Sequence, residues 1–358
     1  MKRWDPWLIL AILALGAASY LAQSSTAQAL QRPGFATRHL VLSLVSLALS
    51  VFVGYLDYRV LARFWPLFYL SSLITLSLLP VLAPLRAGTR AWLVLGPVSV
   101  QPSELARVVT ILAVAMVVSS HKEPFLSGRK ALEITGLVAA PMVLVLLQPD
   151  VGVALTYLPV LLAAFWIGGL RRTTWLALAV TGLLGLVLVF VYALKPYQKE
   201  RILTLFQPHR APYSAGYQQR QAKIAVGSGG ITGKGIGSGT QSQLRFLPAQ
   251  HTDFIFAVWA EETGFFGSQV VLALYGLLLA RIFIAGITAR DRLGALLAGC
   301  TGAVLAVQVL INVGMALGLT PTVGITLPFF SQGGSSLLAS GLALGLVQSV
   351  WRLRFANL

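Results

Sequence analysis

Acidic residues are scarce in this sequence: 11 Asp and Glu stand against 27 Lys and Arg in 358 residues, and charged residues of both signs make up only 11%. An average soluble domain carries about 25% charged residues, so a soluble fold of this length could not cover its surface. The single cysteine, Cys300, lies in an apolar run. That excludes an intramolecular disulfide and reads as a small buried residue. The four histidines, His39, His121, His209 and His251, form no H-E-x-x-H or related ligand pair, so no zinc site is expected. What is abundant is apolar: 56% of the residues, with a mean hydropathy of +0.79. Lipid accepts apolar side chains outward, and the composition therefore predicts an all-α polytopic membrane protein. In a soluble chain the net charge of +16 would point to nucleic acid. Here positive residues retained in cytoplasmic loops account for most of it, and no nucleic-acid partner is expected.

A bilayer asks for about 20 mainly apolar residues per helix. Such runs occur at 6–22, 38–56, 65–84, 104–120, 132–148, 151–169, 173–194, 264–285, 293–317 and 336–351. The expectation is ten transmembrane helices in a single integral membrane domain, 1–358. Only Pro149-Asp150 separates the fifth and sixth runs. As one helix they would exceed any ordinary tilt, and Pro149 disfavours a helical Gln148, so a tight helical hairpin is predicted. The start, Met1-Lys2-Arg3 followed by Trp7 to Leu21, has the layout of a signal peptide, and Ala27-Gln28-Ala29 offers a cleavage pattern. We read it as an uncleaved first span. Lys and Arg in short loops set orientation. One side holds 14: Lys2, Arg3, Arg59, Arg63, Lys122, Arg129, Lys130, Arg171, Arg172, Arg281, Arg290, Arg292, Arg352 and Arg354. The other holds 4: Arg32, Arg38, Arg86 and Arg90. Both termini are therefore expected in the cytoplasm. The long loop of about 195–252, between the seventh and eighth spans, is expected outside.

That loop is rich in glycine from Gly227 to Gly239, yet no nucleotide-binding pattern fits, since Ser228 and Gly235 occupy the Walker positions around Lys234. It reads either as a mobile loop or as a run of free N–H groups that binds phosphate with Lys234. Glu104 and Arg107 begin the fourth span. Ionisable residues in a span are costly and face the interior in pairs, and i, i+3 spacing lets these two pair. They are either an internal ion pair or a pair with one member on a polar ligand. Asp150 reads as the N-cap of the sixth span, with a ligand or gating role as the alternative. Further on, Gln250, His251 and Thr252 lead into Asp253, the apolar Phe254 to Trp259, and Glu261-Glu262. A short amphipathic helix at the outer membrane surface is expected, with Asp253, Ala257 and Glu261 on one face. Its two carboxylates would lie roughly 12 Å apart, beyond the range of about 6.5–9.5 Å used by inverting glycosidases. Asp253 is thus either a catalytic carboxylate without Glu261 as close partner, or a helix cap. Gly333-Gly334 permit a close backbone approach, and Ser335-Ser336 can cap the last span.

Several stretches now stand in a fixed order over about 95–340: Gln101-Pro-Ser-Glu104, Gln148-Pro-Asp-Val-Gly152, Lys234-Gly-Ile-Gly-Ser-Gly239, Phe246-Leu-Pro through His251-Thr-Asp-Phe254 to Ala260-Glu-Glu262, and Leu327-Pro-Phe through Gly333-Gly-Ser-Ser336. The ordered set resembles the shape, elongation, division and sporulation family of bacterial cell-wall proteins, and its compactness is nearer the rod-shape branch. The resemblance implies a peptidoglycan glycosyltransferase that polymerises lipid II on the outer face of the cytoplasmic membrane during cell elongation. It implies as partners a class B penicillin-binding protein that crosslinks the strands, and other cell-elongation membrane proteins. By position Asp253 falls on the family's essential acidic residue and Glu104 on the acid of its fourth-helix pair. Arg107 stands where the family usually has Lys, and Gln332 where a Tyr is common. The implied reaction is an inverting displacement of a lipid diphosphate by a sugar 4-hydroxyl, which asks for one general base; Asp253 is the candidate. Developing charge on the diphosphate calls for cations, for which Lys234, Arg245 and Arg107 are candidates. Glu104, Gln250, Ser331 and Ser335 complete the expected substrate contacts. No cofactor is read from the sequence; a divalent cation would suit the diphosphate, and no metal site is legible. A lipid II flippase and a non-catalytic scaffold for the penicillin-binding protein are the alternatives. Polar groups concentrated near the outer face favour the enzyme.

Overall fold

Helices dominate the residues that the computed structural model describes: 4–85, 88–95, 98–121, 123, 125–188, 191, 192, 199, 200, 203, 205 and 215–355. In chain order they are α1 (Pro6–Leu30), α2 (Gly34–Tyr55), α3 (Tyr58–Arg63), α4 (Trp65–Leu82), α5 (Pro102–Ser119), α6 (Gly128–Leu147), α7 (Val151–Leu155), α8 (Leu158–Gly168), α9 (Arg172–Leu188), α10 (Ala215–Ser228), α11 (Thr240–Gln243), α12 (Ile255–Ile287), α13 (Arg292–Leu317) and α14 (Gly334–Leu353). A two-stranded antiparallel hairpin, β1 (Leu93–Leu95) with β2 (Val98–Val100), precedes α5 and pairs Leu93 with Val100.

Nine helical stretches among the described residues are long and apolar enough to cross a bilayer, with α7 and α8 together forming one of them. The expected span 173–194 appears as α9 over 17 described residues, and part of its remainder lies outside them. The expected loop 195–252 begins in that same region. Its described part from 215 onward is itself partly helical, in α10 and α11.

Local chemistry explains where the helices begin and end. Asp5 caps α1 by accepting the N–H groups of Trp7 and Leu8, and Pro6 occupies a position where no amide is needed. The same carboxylate takes Arg281 of α12 at 2.8 Å. From there α1 runs unbroken through Ala27-Gln28-Ala29 to Leu30 and packs on α12, as an integral span would. The hairpin at Pro149 is present: α6 stops at Leu147, and Asp150 caps α7 through the Val153 N–H at 3.1 Å. Burial sorts the bundle. The apolar window of α4 is 17% buried, against 72% for α5, 67% for α13 and 78% for α14. These last three form the interior, and α4 turns most of its surface outward.

Gly264 breaks α12 with φ 67° and ψ −160°, a backbone that L side chains rarely adopt. The break frees backbone groups that must find partners in an apolar setting. The glycine loop supplies them. Lys234 and Gly235 donate their N–H groups to the Glu261 and Glu262 carbonyls, at 3.1 and 2.9 Å, while Phe265 and Phe266 donate to Gly230 and Ile231. A Cβ at Gly264 would lie 2.3 Å from the Gly233 nitrogen. Two expectations are corrected here. The loop is not a run of free N–H groups, because the amides of Lys234, Gly235, Gly237 and Gly239 are taken by α12. The segment after Asp253 is helical but not an amphipathic surface helix: every residue from Ile255 to Glu262 is buried, because α1, α10 and α14 also pack on α12.

Candidate active site

Asp253 sits in the turn that ends at Phe254, the N-cap of α12, and Phe254 makes no side-chain cap. Asp253 thus stands one position before the N-cap of α12, not at it. Three residues from two elements hold the turn. Asn312 of α13 donates its Nδ2 both to the Asp253 carbonyl, at 2.9 Å, and to the Ile325 carbonyl, at 2.8 Å. The Ser331 hydroxyl donates to the Thr252 carbonyl at 2.5 Å and accepts from the Leu327 N–H. The Gln332 N–H donates to the His251 carbonyl at 2.9 Å. Against this fixed backbone the Asp253 side chain stays half-buried. A Cβ built at Gly324 would come within 3.7 Å of its Oδ2, so the chain around Val323–Ile325 passes beside the carboxylate.

The second half of the site grows from the start of α5. Glu104 and Arg107 form the expected ion pair, Nη2 to Oε2 at 2.5 Å, with both side chains about 95% buried. Arg107 also donates to the Thr156 hydroxyl at 2.7 Å, which ties α5 to the α7–α8 junction. Gln101, just before α5, links two more elements. Its N–H donates to the Ser335 hydroxyl at 2.7 Å, and its Nε2 donates to Asp150 Oδ2 at 2.7 Å. Ser335 and Ser336 therefore do not cap α14; Ser336 instead shares a 2.8 Å hydrogen bond with Thr326.

Asp150 joins the halves electrostatically. It lies in the hairpin outside the spans, and its carboxyl is pushed up to about 6, first by burial and then by the nearby carboxylates of Glu104 and Asp253, against the pull of its hydrogen bonds from Val153 and Gln101. His251 is pushed the other way, by burial and by the charge of Arg32.

The remaining candidates are placed differently. Lys234 is held on Glu261, Nζ to Oε1 at 2.7 Å, with the Ser228 and Thr240 hydroxyls as further acceptors. Arg245 is exposed and donates its Nε to the Ala29 carbonyl at 2.7 Å. Gln250 is buried, and neither of its side-chain polar atoms has a hydrogen bond among the described residues. No group of three or more His, Cys, Asp or Glu that could hold a metal occurs among the described residues. Sequence reasoning missed Asn312 and Thr156. A lone intramembrane Asn was a usable signal for the first; a Thr within an apolar hairpin gave none.

The arrangement offers a fixed, half-buried carboxylate beside a buried ion pair and a second, readily protonated carboxyl. That suits proton removal next to a polar substrate at one membrane face. A family model described as cell cycle protein, named for FtsW, RodA and SpoVE, matches residues 3–354. The chain is 36% identical over 353 residues to the peptidoglycan glycosyltransferase MrdB of Escherichia coli K12, covering 97% of this chain and 93% of that protein. It is 34% identical over 359 residues to a probable peptidoglycan glycosyltransferase FtsW of Coxiella burnetii, covering 96% and 95%. It superposes with a TM-score of 0.83 on a chain from a structure described as structural coordination of polymerization and crosslinking by a peptidoglycan synthase complex, at 35% identity and 99% coverage of both chains. The rod shape determining protein RodA of Thermus thermophilus gives a TM-score of 0.73 at 30% identity, covering 99% of this chain and 98% of that one. With a family match from one end to the other, and relatives above 30% identity across nearly their whole lengths, this multi-pass membrane chain belongs to the shape, elongation, division and sporulation family.

Proposed function

We infer that this chain is a peptidoglycan glycosyltransferase that polymerises lipid II, with Asp253 as its general base. The observation that carries the reading is the way Asn312, Ser331 and Gln332 fix the backbone around Asp253 while leaving its side chain half-buried. A carboxylate held so can take the proton of an acceptor 4-hydroxyl as that oxygen attacks the anomeric carbon. The bond to the lipid diphosphate breaks, the diphosphate leaves with the electron pair, and the configuration inverts. The leaving group is already stable as an anion, so one carboxylate suffices. Arg107, held by Glu104 and Thr156, keeps a positive group at this end of α5. Gln101 and Ser335 hold Asp150 and the start of α14 around the same volume. Lys234, pinned on Glu261, acts by holding the helix behind Asp253 rather than by touching the diphosphate.

The flippase alternative needs a polar path through the bundle. Below Arg107, α5 buries Val108, Ile111, Leu112, Ala113, Val114, Ala115, Val117 and Val118, with Thr110 as its one polar buried residue over that stretch. The cavity beneath Arg107 is only about 10 Å³, room for about one water. The orientation that fits the chemistry puts the Asp253 end outside and both termini in the cytoplasm. A class B penicillin-binding protein is the proposed partner, supported by the synthase complex to which this fold is similar.

The test is glycan product from lipid II by purified protein, with and without that partner. Asp253→Asn keeps the shape and removes the base, so product is expected to fall by about 10²–10⁴-fold with an unchanged melting temperature. Near-normal product from the variant would overturn the assignment.

A further inference from the structure

At the far end of α5, about 27 Å along the helix from its start, lies a second polar feature that the glycosyltransferase reading does not use. It is a cleft of about 330 Å³ between α3, the end of α5 and the start of α13. A single water needs only about 10–15 Å³ by a comparable measure, so the cleft has room for a larger group. Arg59, Arg63, Arg292 and Asp291 line it, together with Ser119. Three guanidiniums thus face one carboxylate. Arg59 takes that carboxylate at 2.8 Å. Arg292 spends two donors on the carbonyls of His121 and Gly168, at 2.8 and 2.7 Å, which orients it without neutralising it. Arg63 is exposed at the rim. The cleft keeps a surplus of two positive charges.

Its surroundings decide what kind of anion fits. Arg59 and Arg63 are i, i+4 on α3 and share a face. Val60 on α3 and Phe64, at the junction of α3 and α4, are 51% and 53% exposed, with Leu67 of α4 beyond them at 64%. A basic pocket walled by outward apolar side chains matches a molecule with a phosphate head and acyl tails. We propose that this cleft binds the phosphate headgroup of an anionic membrane lipid, in the leaflet opposite the Asp253 site. The head lies among Arg59, Arg63 and Arg292, and the tails run along Val60, Phe64 and Leu67.

The full chain, purified and delipidated in detergent, would be titrated with short-chain phosphatidylglycerol, short-chain phosphatidylcholine and inorganic phosphate, with bound species counted by native mass spectrometry. Phosphatidylglycerol is expected to bind about tenfold more tightly than phosphatidylcholine. Arg63→Glu should weaken phosphatidylglycerol by about tenfold or more and leave phosphatidylcholine unchanged, and Arg63→Gln should weaken it about fivefold. Should Arg63→Glu fail to fold, Arg63→Gln carries the test. Arg172→Glu, at an exposed arginine outside the cleft, should change nothing. Equal binding of the two lipids overturns the proposal. So does an equal loss with Arg172→Glu, which would mean diffuse attraction, and so does displacement by inorganic phosphate at matching concentration, which would mean a soluble-anion site.

Discussion

Two pairs of carboxylates, Glu261 with Glu262 and Asp253 with Asp150, are held in different ways. Glu261 is fully buried and saturated: Lys234 Nζ at 2.7 Å, the Gln241 N–H at 2.9 Å and the Ser242 N–H at 3.3 Å all point at it. Glu262 beside it accepts from the Ser25 hydroxyl on Oε1, while its Oε2 has no hydrogen bond among the described residues. Asp253 and Asp150 are both part-exposed, and Asp150 feels Asp253 as a repelling charge. A saturated buried carboxylate has no capacity left for a substrate, and its protein partners have nowhere else to turn. A partly exposed carboxylate can still be reached from outside the fold. Glu261 is therefore structural, whereas Asp253 and Asp150 stand at the chemistry, although all are acids near one membrane face.

The sharpest way to break that distinction is to exchange the phenotypes. Asp253→Asn should cost about 10²–10⁴-fold in polymerisation and nothing in melting temperature. Glu261→Gln should do the reverse, lowering unfolding free energy by about 2–3 kcal/mol, since the pair is buried on one side but Lys234 keeps part of its surface in water. Thermal unfolding in detergent measures it, and an inactive but fully stable Glu261→Gln protein would mean that Glu261 belongs to the chemical pair. Next comes the Glu104–Arg107 pair. Either single change to Ala leaves an unpaired charge in the bundle, so a double-mutant cycle on unfolding should give a coupling of about 1–3 kcal/mol; strict additivity would show that the two do not support one another.

The smallest effect expected is at Asp150. Its native carboxyl is raised from 3.8 to about 6, so the native state holds the proton more tightly than the unfolded chain. The stabilisation is fully present below pH 3.8 and is lost as pH rises through about 6. Asp150→Asn should flatten that part of the curve of melting temperature against pH, by a shift of about a degree or two. An unaltered slope would assign the titration to another group.

Much of this was legible in advance because membrane proteins write their spans in length and hydropathy. The hairpin at Pro149-Asp150, the cap at Asp150 and the Glu104–Arg107 pair follow from local rules of proline, capping and i, i+3 spacing, and each is present. The segment after Asp253 was misjudged because amphipathicity compares one helix with water and lipid, whereas Ile255 to Glu262 are covered by other helices. The glycine loop was misjudged for a related reason. Its free amides are real in the chain alone, and only the break at Gly264 supplies the carbonyls that consume them.

By itself, then, the sequence determined the medium, the approximate spans and the residue types at one membrane face, because these depend on period, length and nearest neighbours. Tertiary structure decided how each acid is held. That choice rests on donors far apart in the chain: Lys234 and Ser25 on Glu261 and Glu262, Gln101 on Asp150, and Asn312 and Ser331 on the backbone of the Asp253 turn. A hydrogen bond acts over about 3 Å in space, whatever the separation in sequence.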